Sequence, residues 1–214
     1  MDLGADAVVI DCFHDGAEPD LALLRACSRS LIDARGPGRS PQVWFRIHPA
    51  FSQECASELG RLAGIGEGLI LPQVRSTDDV EWVADRATDV NLLPVIENQD
   101  AMSRVVAIAA HPAVCRLGFS ARGFAQEAID GDGLLAPAEA LLWQRRIVAS
   151  AAASAGLPGP VNGVHGAGEA AFDTEAFTQD AGLAVDAGFT GQCVTDPAQL
   201  VHLRARFGDD APTG

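Results

Sequence analysis

The 214-residue chain is long enough for one sizeable domain with its own core, and 48% apolar against 21% charged residues excludes a disordered tail. Its 15 Lys and Arg against 29 Asp and Glu give a net charge of −14, which argues against nucleic acid or an anionic membrane as the main partner. No apolar run approaches the ~18 residues of a membrane span, and the opening Met-Asp-Leu-Gly has no leader character, so a soluble cytoplasmic protein is expected.

In chain order, short apolar runs rich in Val, Ile and Leu predict strands at Ala7–Asp11, Val43–Ile47, Gly68–Pro72, Asn91–Glu97, Val114–Phe119, Pro160–His165 and Gly191–Thr195. They show little alternation, as suits parallel strands buried on both faces. Between them the period becomes helical: Val80, Val83, Ala84 and Ala87 form one stripe, Met102, Val105, Val106 and Ala109 another, and Phe177, Ala181, Ala184 and Val185 a third. Ser52, Ser76 and Asp196 mark helix starts, while Gly36, Gly64, Gly156 and Gly188 mark helix ends. Residues 1–208 read as a single domain and 209–214 as a frayed tail. Repeated strand–helix units predict a parallel α/β fold, either a doubly wound sheet or a (β/α)8 barrel. The five cysteines (Cys12, Cys27, Cys55, Cys115 and Cys193) are dispersed without C-x-x-C spacing, which speaks against a disulfide framework and a thiolate zinc site.

Both architectures place ligands beyond the carboxyl ends of the strands. The residues there are Asp11, Arg46 with His48, Gln73, Glu97, Ser120 with Arg122, and His165. Arg46 suits a clamp on a substrate carboxylate or carbonyl, or an ion pair with Asp11 or Glu97. Glu97 ends a nearly apolar strand, so its carboxylate has to be paired, hydrogen-bonded or on a metal. His14, His48 and His165 with Glu97 also have the composition of a nitrogen–oxygen metal site. The G-x-G-x-x-A run at 166–171 reads as a loop entering a helix, and the G-x-S-x-x-G run at 118–123 lacks nucleophile-elbow spacing.

The strand ends, taken in order, resemble the citrate lyase beta-subunit-like branch of the HpcH/HpaI aldolase family. The segments that carry the likeness are Leu3-Gly-Ala-Asp-Ala-Val-Val-Ile-Asp11, Phe45-Arg46-Ile47, Ile70-Leu71-Pro72, Leu93-Pro94-Val95-Ile96-Glu97 and Ala187-Gly-Phe-Thr-Gly191 through Asp196-Pro197-Ala198-Gln199. The resemblance implies a (β/α)8 TIM barrel, here without the family's first strand–helix unit. It also implies a homo-oligomer, often a trimer, or a partner chain that completes the barrel. The activity it implies is carbon–carbon cleavage or formation beside a carbonyl, commonly on a coenzyme A thioester, with Mg²⁺ polarising the substrate. Asp11, Arg46 and Glu97 form the candidate catalytic set, with Glu97 a metal ligand. Arg46, His48, Gln73, Ser120, Arg122 and His165 form the candidate substrate contacts.

Departures from the family pattern fall on the polar positions. Gly123 stands where the resemblance implies a second metal-binding acid, with Arg122 beside it, and Phe13 and His14 replace an acidic pair. Gln73 replaces a lysine, His48 an asparagine and Gln192 a lysine. Losing one of two carboxylates predicts weak or absent Mg²⁺ binding, with Arg122 placed to neutralise Glu97 instead. The expected function is a divergent carbon–carbon lyase. The alternatives are a degenerate homologue that binds a ligand or partner, and a rewired thioester hydrolase or isomerase.

Overall fold

A computed structural model describes residues 5–12, 26, 28–30, 41–62, 64–87, 89–125, 141–164 and 173–207. The apolar runs form β1 (Ala7–Asp11), β2 (Gln42–Arg46), β3 (Gly68–Leu71), β4 (Leu92–Ile96), β5 (Gly118–Phe119), β6 (Val161–Asn162) and β7 (Gly191–Gln192). Each pairs in parallel with the next, in the order β1-β2-β3-β4-β5-β6-β7, leaving β1 and β7 as the edges. A doubly wound sheet reverses its strand order at a switch point, and this sheet never does. The architecture is that of a curled (β/α) barrel in which, among the described residues, no strand joins β1 to β7.

Around the sheet run α1 (Gln53–Leu62), α2 (Thr77–Ala84), α3 (Gln99–Ser103), α4 (Val105–Ala109), α5 (Leu142–Ser154), α6 (Thr174–Asp186) and α7 (Leu200–Phe207), the last entered through a 3₁₀ turn at Pro197–Gln199. No helix among the described residues is long and apolar enough to cross a membrane. Strand alternation sorts the side chains. Val43, Phe45, Leu69, Leu71, Leu92, Ile96 and Phe119 join the core beneath the helices. The register puts Val9, Trp44 and Gly68 side by side on the opposite, concave face, followed one step further along by Asp11, Arg46 and Ile70. Gly68 has to be glycine here, because a Cβ would lie 2.4 Å from the Trp44 ring.

The punctuation read from sequence governs the helix ends. Ser76 accepts from the Asp78 amide, and Asp79 reaches back to the Ser76 amide at 2.8 Å, closing a capping box. Ser76→Ala is therefore expected to cost about 1 kcal/mol in urea unfolding; an unchanged midpoint would show that the cap contributes nothing. Gly156 and Gly188 adopt φ of 73° and 99°. There they let Leu157 and Phe189 bond back to Ala152 and Ala184, the six-residue closure that ends α5 and α6.

Two expectations need correction. The single helix expected over Met102–Ala109 is broken at Arg104 (φ −119°, ψ 9°), which resets the helical phase and leaves Val106 63% exposed. The last three strands are shorter than expected, two residues each. Val114 forms only an isolated bridge to Leu92, and Arg116 instead crosses to β6 and β7, donating to the Gly159 carbonyl at 2.8 Å and the Thr190 hydroxyl at 2.6 Å. Gly36, Cys27 and the 166–171 run lie outside the described residues.

Candidate functional site at the carboxyl rim

Parallel strands bring their carboxyl ends to one rim. Asp11 and Arg46 are register partners on β1 and β2, so their side chains project from the same face. Arg46 donates to Asp11 at 2.9 Å, with 32% of its own side chain and 48% of the acid's exposed. Of the two acids considered for Arg46, Asp11 is the one it pairs with, at a surface that solvent reaches.

Glu97 follows β4, one step beyond the concave-facing Leu93 and Val95. Its Oε1 accepts the Gln73 backbone N–H at 2.6 Å. Gln73 adopts a left-handed conformation with φ 53° to present that amide, a geometry that costs a non-glycine residue about 1 kcal/mol or more. Next to it, Asn98 caps α3 by accepting from the Ala101 amide at 2.8 Å and donates to the Val74 carbonyl at 2.8 Å, tying the ends of β3 and β4 together. A short helical turn at 121–125 closes on the other flank. Ser120 caps it, accepting from the Gly123 amide at 3.2 Å. Gly123 packs so closely on Glu97 that a Cβ would lie 2.5 Å from the glutamate Cβ, 2.7 Å from its carbonyl oxygen and 2.9 Å from Oε2.

His48 is engaged elsewhere. Its Nδ1 lies 2.7 Å from Glu58 Oε1, and its backbone N–H donates to Glu58 Oε2 at 2.8 Å. Glu58 is 1% exposed on the core face of α1, so it anchors the loop after β2 to that helix. Sequence reading missed Glu58, although a carboxylate on the stripe of Cys55, Leu59 and Leu62 was a legible signal of a buried partner. Arg122 is exposed, and no ion pair joins it to Glu97 among the described residues, so the expected neutralisation of Glu97 by Arg122 is not found. The reason is geometric: Gly123, not Arg122, is the residue of the turn that faces Glu97. His14 and His165 lie outside the described residues. Cys193, unflagged by the sequence, follows β7; burial raises its thiol pKa, while Arg116 and Arg46 pull it the other way.

Magnesium prefers octahedral oxygen ligands, one or two of them protein carboxylates. Glu97 Oε1 accepts one amide N–H and keeps further lone pairs, and the Gly123 backbone lies against its other flank. Among the described residues no three His, Cys, Asp or Glu side chains converge. The histidine-rich site considered from sequence includes His14 and His165, which lie outside the described residues.

The strand order and polar rim define a (β/α)-barrel protein with a carboxylate and an arginine at the catalytic face of that fold. No protein-family model matches the chain. It is 28% identical over 202 residues to a (3S)-malyl-CoA thioesterase of Cereibacter sphaeroides, a match covering 92% of this chain and 67% of that protein. Its fold matches RipC from Yersinia pestis with a TM-score of 0.75 at 22% identity, over 99% of this chain and 91% of that one. It also matches the citrate lyase beta subunit of Mycobacterium tuberculosis with a TM-score of 0.74 at 20% identity, over 95% and 87% of the two chains. That subunit is also known in complex with oxaloacetate and magnesium. The chain is thus similar in sequence to a malyl-CoA thioesterase and shares the fold of RipC and of the citrate lyase beta subunit.

Proposed function

We propose that this protein acts on the acyl group of a short coenzyme A thioester, with Arg46 binding substrate oxygens and Glu97 moving the proton. The observation that carries this reading is the pairing of an arginine held by Asp11 with a carboxylate held by the Gln73 amide, on the same rim of one sheet. Gln73, Ser120 and Arg122 border that rim and are proposed to line the substrate. In carbon–carbon cleavage, Glu97 takes the proton of a hydroxyl β to the thioester carbonyl. The bond between the α- and β-carbons breaks, its electrons pass to the α-carbon as an enolate, and that carbon is reprotonated. Arg46 holds a carboxylate or carbonyl oxygen through its planar fork.

Thioester hydrolysis is the second reading, favoured by the Gly123 backbone beside Glu97 and by the likeness to a thioesterase. Here Glu97 takes a proton from the water that attacks the thioester carbonyl, and the coenzyme A thiolate leaves. Malyl-CoA separates the two, since cleavage releases glyoxylate and acetyl-CoA whereas hydrolysis releases malate and a free thiol. Appearance of neither product would remove the catalytic reading and leave a homologue that only binds. For Arg46→Ala we expect kcat/KM to fall by about 10²-fold or more, while the urea midpoint barely moves because a half-exposed ion pair contributes about 1 kcal/mol at most. Full activity in that variant would take Arg46 out of the site.

A further inference from the structure

We infer that His48, oriented by Glu58, is the second proton-transfer residue of the site and the proton donor to the fragment that leaves with coenzyme A. The inference deepens the proposed function and rests on it. With Glu97 taking the first proton, each reaction still has one to deliver: to the α-carbon of the enolate in cleavage, or to the departing sulfur in hydrolysis. Strand geometry brings His48 to the rim. Ile47 turns into the core at 0% exposure while its N–H still donates to the Ile70 carbonyl at 3.1 Å, so the alternation of the extended chain returns His48 to the side of Arg46. There 17% of the His48 side chain stays exposed. One buried carboxylate fixes both parts of this residue: Glu58 Oε2 accepts its backbone N–H at 2.8 Å, and Oε1 lies 2.7 Å from Nδ1. The backbone bond alone would anchor the loop, whereas the ring bond sets a tautomer. A carboxylate only accepts, so Nδ1 carries a proton and the proton that moves is the one on Nε2. Giving it up leaves the Nδ1–H form that Glu58 already holds, and the ring need not turn between its two states. In cleavage the hydroxyl proton goes to Glu97 and the Nε2 proton to the α-carbon. In hydrolysis a proton of the attacking water goes to Glu97 and the Nε2 proton to the thiolate. Glu97 then releases its proton to solvent and His48 takes one up.

The test is steady-state turnover of malyl-CoA by the wild-type protein and by His48→Gln, His48→Ala and Glu58→Gln, with the products of cleavage and of hydrolysis both followed. We expect His48→Gln to lower kcat about 10²-fold or more while KM stays within about threefold. Glu58→Gln, which disturbs only the orientation of the ring, is expected to lower kcat about tenfold, again without a matching rise in KM. Imidazole added to His48→Ala should restore turnover in step with its concentration, because a free base in the vacated space carries the proton. A histidine that only anchored the loop would not be replaced in this way. Turnover by His48→Gln within about threefold of wild type, or a loss in His48→Ala that imidazole leaves untouched, would overturn the inference. Should His48→Ala not fold, the split between kcat and KM in His48→Gln and Glu58→Gln decides the matter. A silent wild type removes the thioester reading and this inference with it, whereas an active wild type beside an equally active His48→Gln removes the inference alone.

Discussion

Asp180→Ala is expected to lower the unfolding free energy by about 3–5 kcal/mol, the largest single-residue effect in the described fold. Asp180 lies on α6 and is 4% exposed; it accepts from the guanidinium of Arg145 on α5, which is 0% exposed. Its second oxygen accepts from Asn162 Nδ2 at 2.9 Å, and the same amide nitrogen donates to Gln192 Oε1 at 2.7 Å. Gln192 Nε2 in turn donates to the Gly163 carbonyl at 2.5 Å. The ring of Phe119 lies 5.3 Å from the Arg145 guanidinium carbon, adding a cation–π contact in a dry setting. Truncating Asp180 leaves a cation in the core without its acid, whereas removing both charges together avoids that penalty. The double variant Arg145→Met with Asp180→Leu should therefore recover much of the loss, short of the bond that Asn162 forfeits. Urea unfolding of both single variants and the double one measures this. Single-variant losses under about 1 kcal/mol would mean that water or a rearranged neighbour reaches the pair.

The network also explains what could be read from sequence and what could not. Each strand leaves a local signature of adjacent apolar residues, and each βα repeat leaves a second one in its helical stripe. The seven strands, the Ser76 cap and the stops at Gly64, Gly156 and Gly188 were legible for that reason. Strand order is a property of the whole sheet, so the apolar pattern alone left barrel and doubly wound sheet open; the barrel implied by the family resemblance is what the pairing bears out. Residues at strand ends were legible as positions but not as partners. Asp11 meeting Arg46 and Glu97 meeting the Gln73 amide depend on register and on a left-handed backbone, neither of which composition reveals. Arg145 and Asp180 are 35 positions apart, on separate helices. Each resembles an ordinary charged residue of a solvated face until the helices pack. Gly123 shows the reverse case: a substitution seen in sequence as a lost ligand proves to be a close approach of main chain to Glu97.

Alkali supplies the second large effect. Cys12 and Cys55 are both 0% exposed, and burial, reinforced by the Glu58 carboxylate, pushes their thiols from the ordinary 9.0 up to about 12. Asp11 adds to the shift at Cys12, whereas Arg86 opposes it at Cys55. Below pH 9 both thiols are protonated whether the chain is folded or not, and they make stability no function of pH. Between about pH 9 and 12 the unfolded chain releases these protons while the native one keeps them. The native state then binds more protons than the unfolded, and stability falls as pH rises, by about 1.4 kcal/mol per pH unit for each thiol. The thiols of Cys115 and Cys193 are also raised by burial and act in the same direction. Few other groups compete in this window, because the chain has no tyrosine and all 15 of its basic side chains are arginines. Urea unfolding at intervals from pH 8 to 11 should show a steepening loss, and Cys12→Ala with Cys55→Ala should flatten it. The cavities those variants leave lower stability equally at every pH, so they shift the curve without changing its slope. A slope unchanged by the double substitution would place the alkaline sensitivity in groups other than these two thiols.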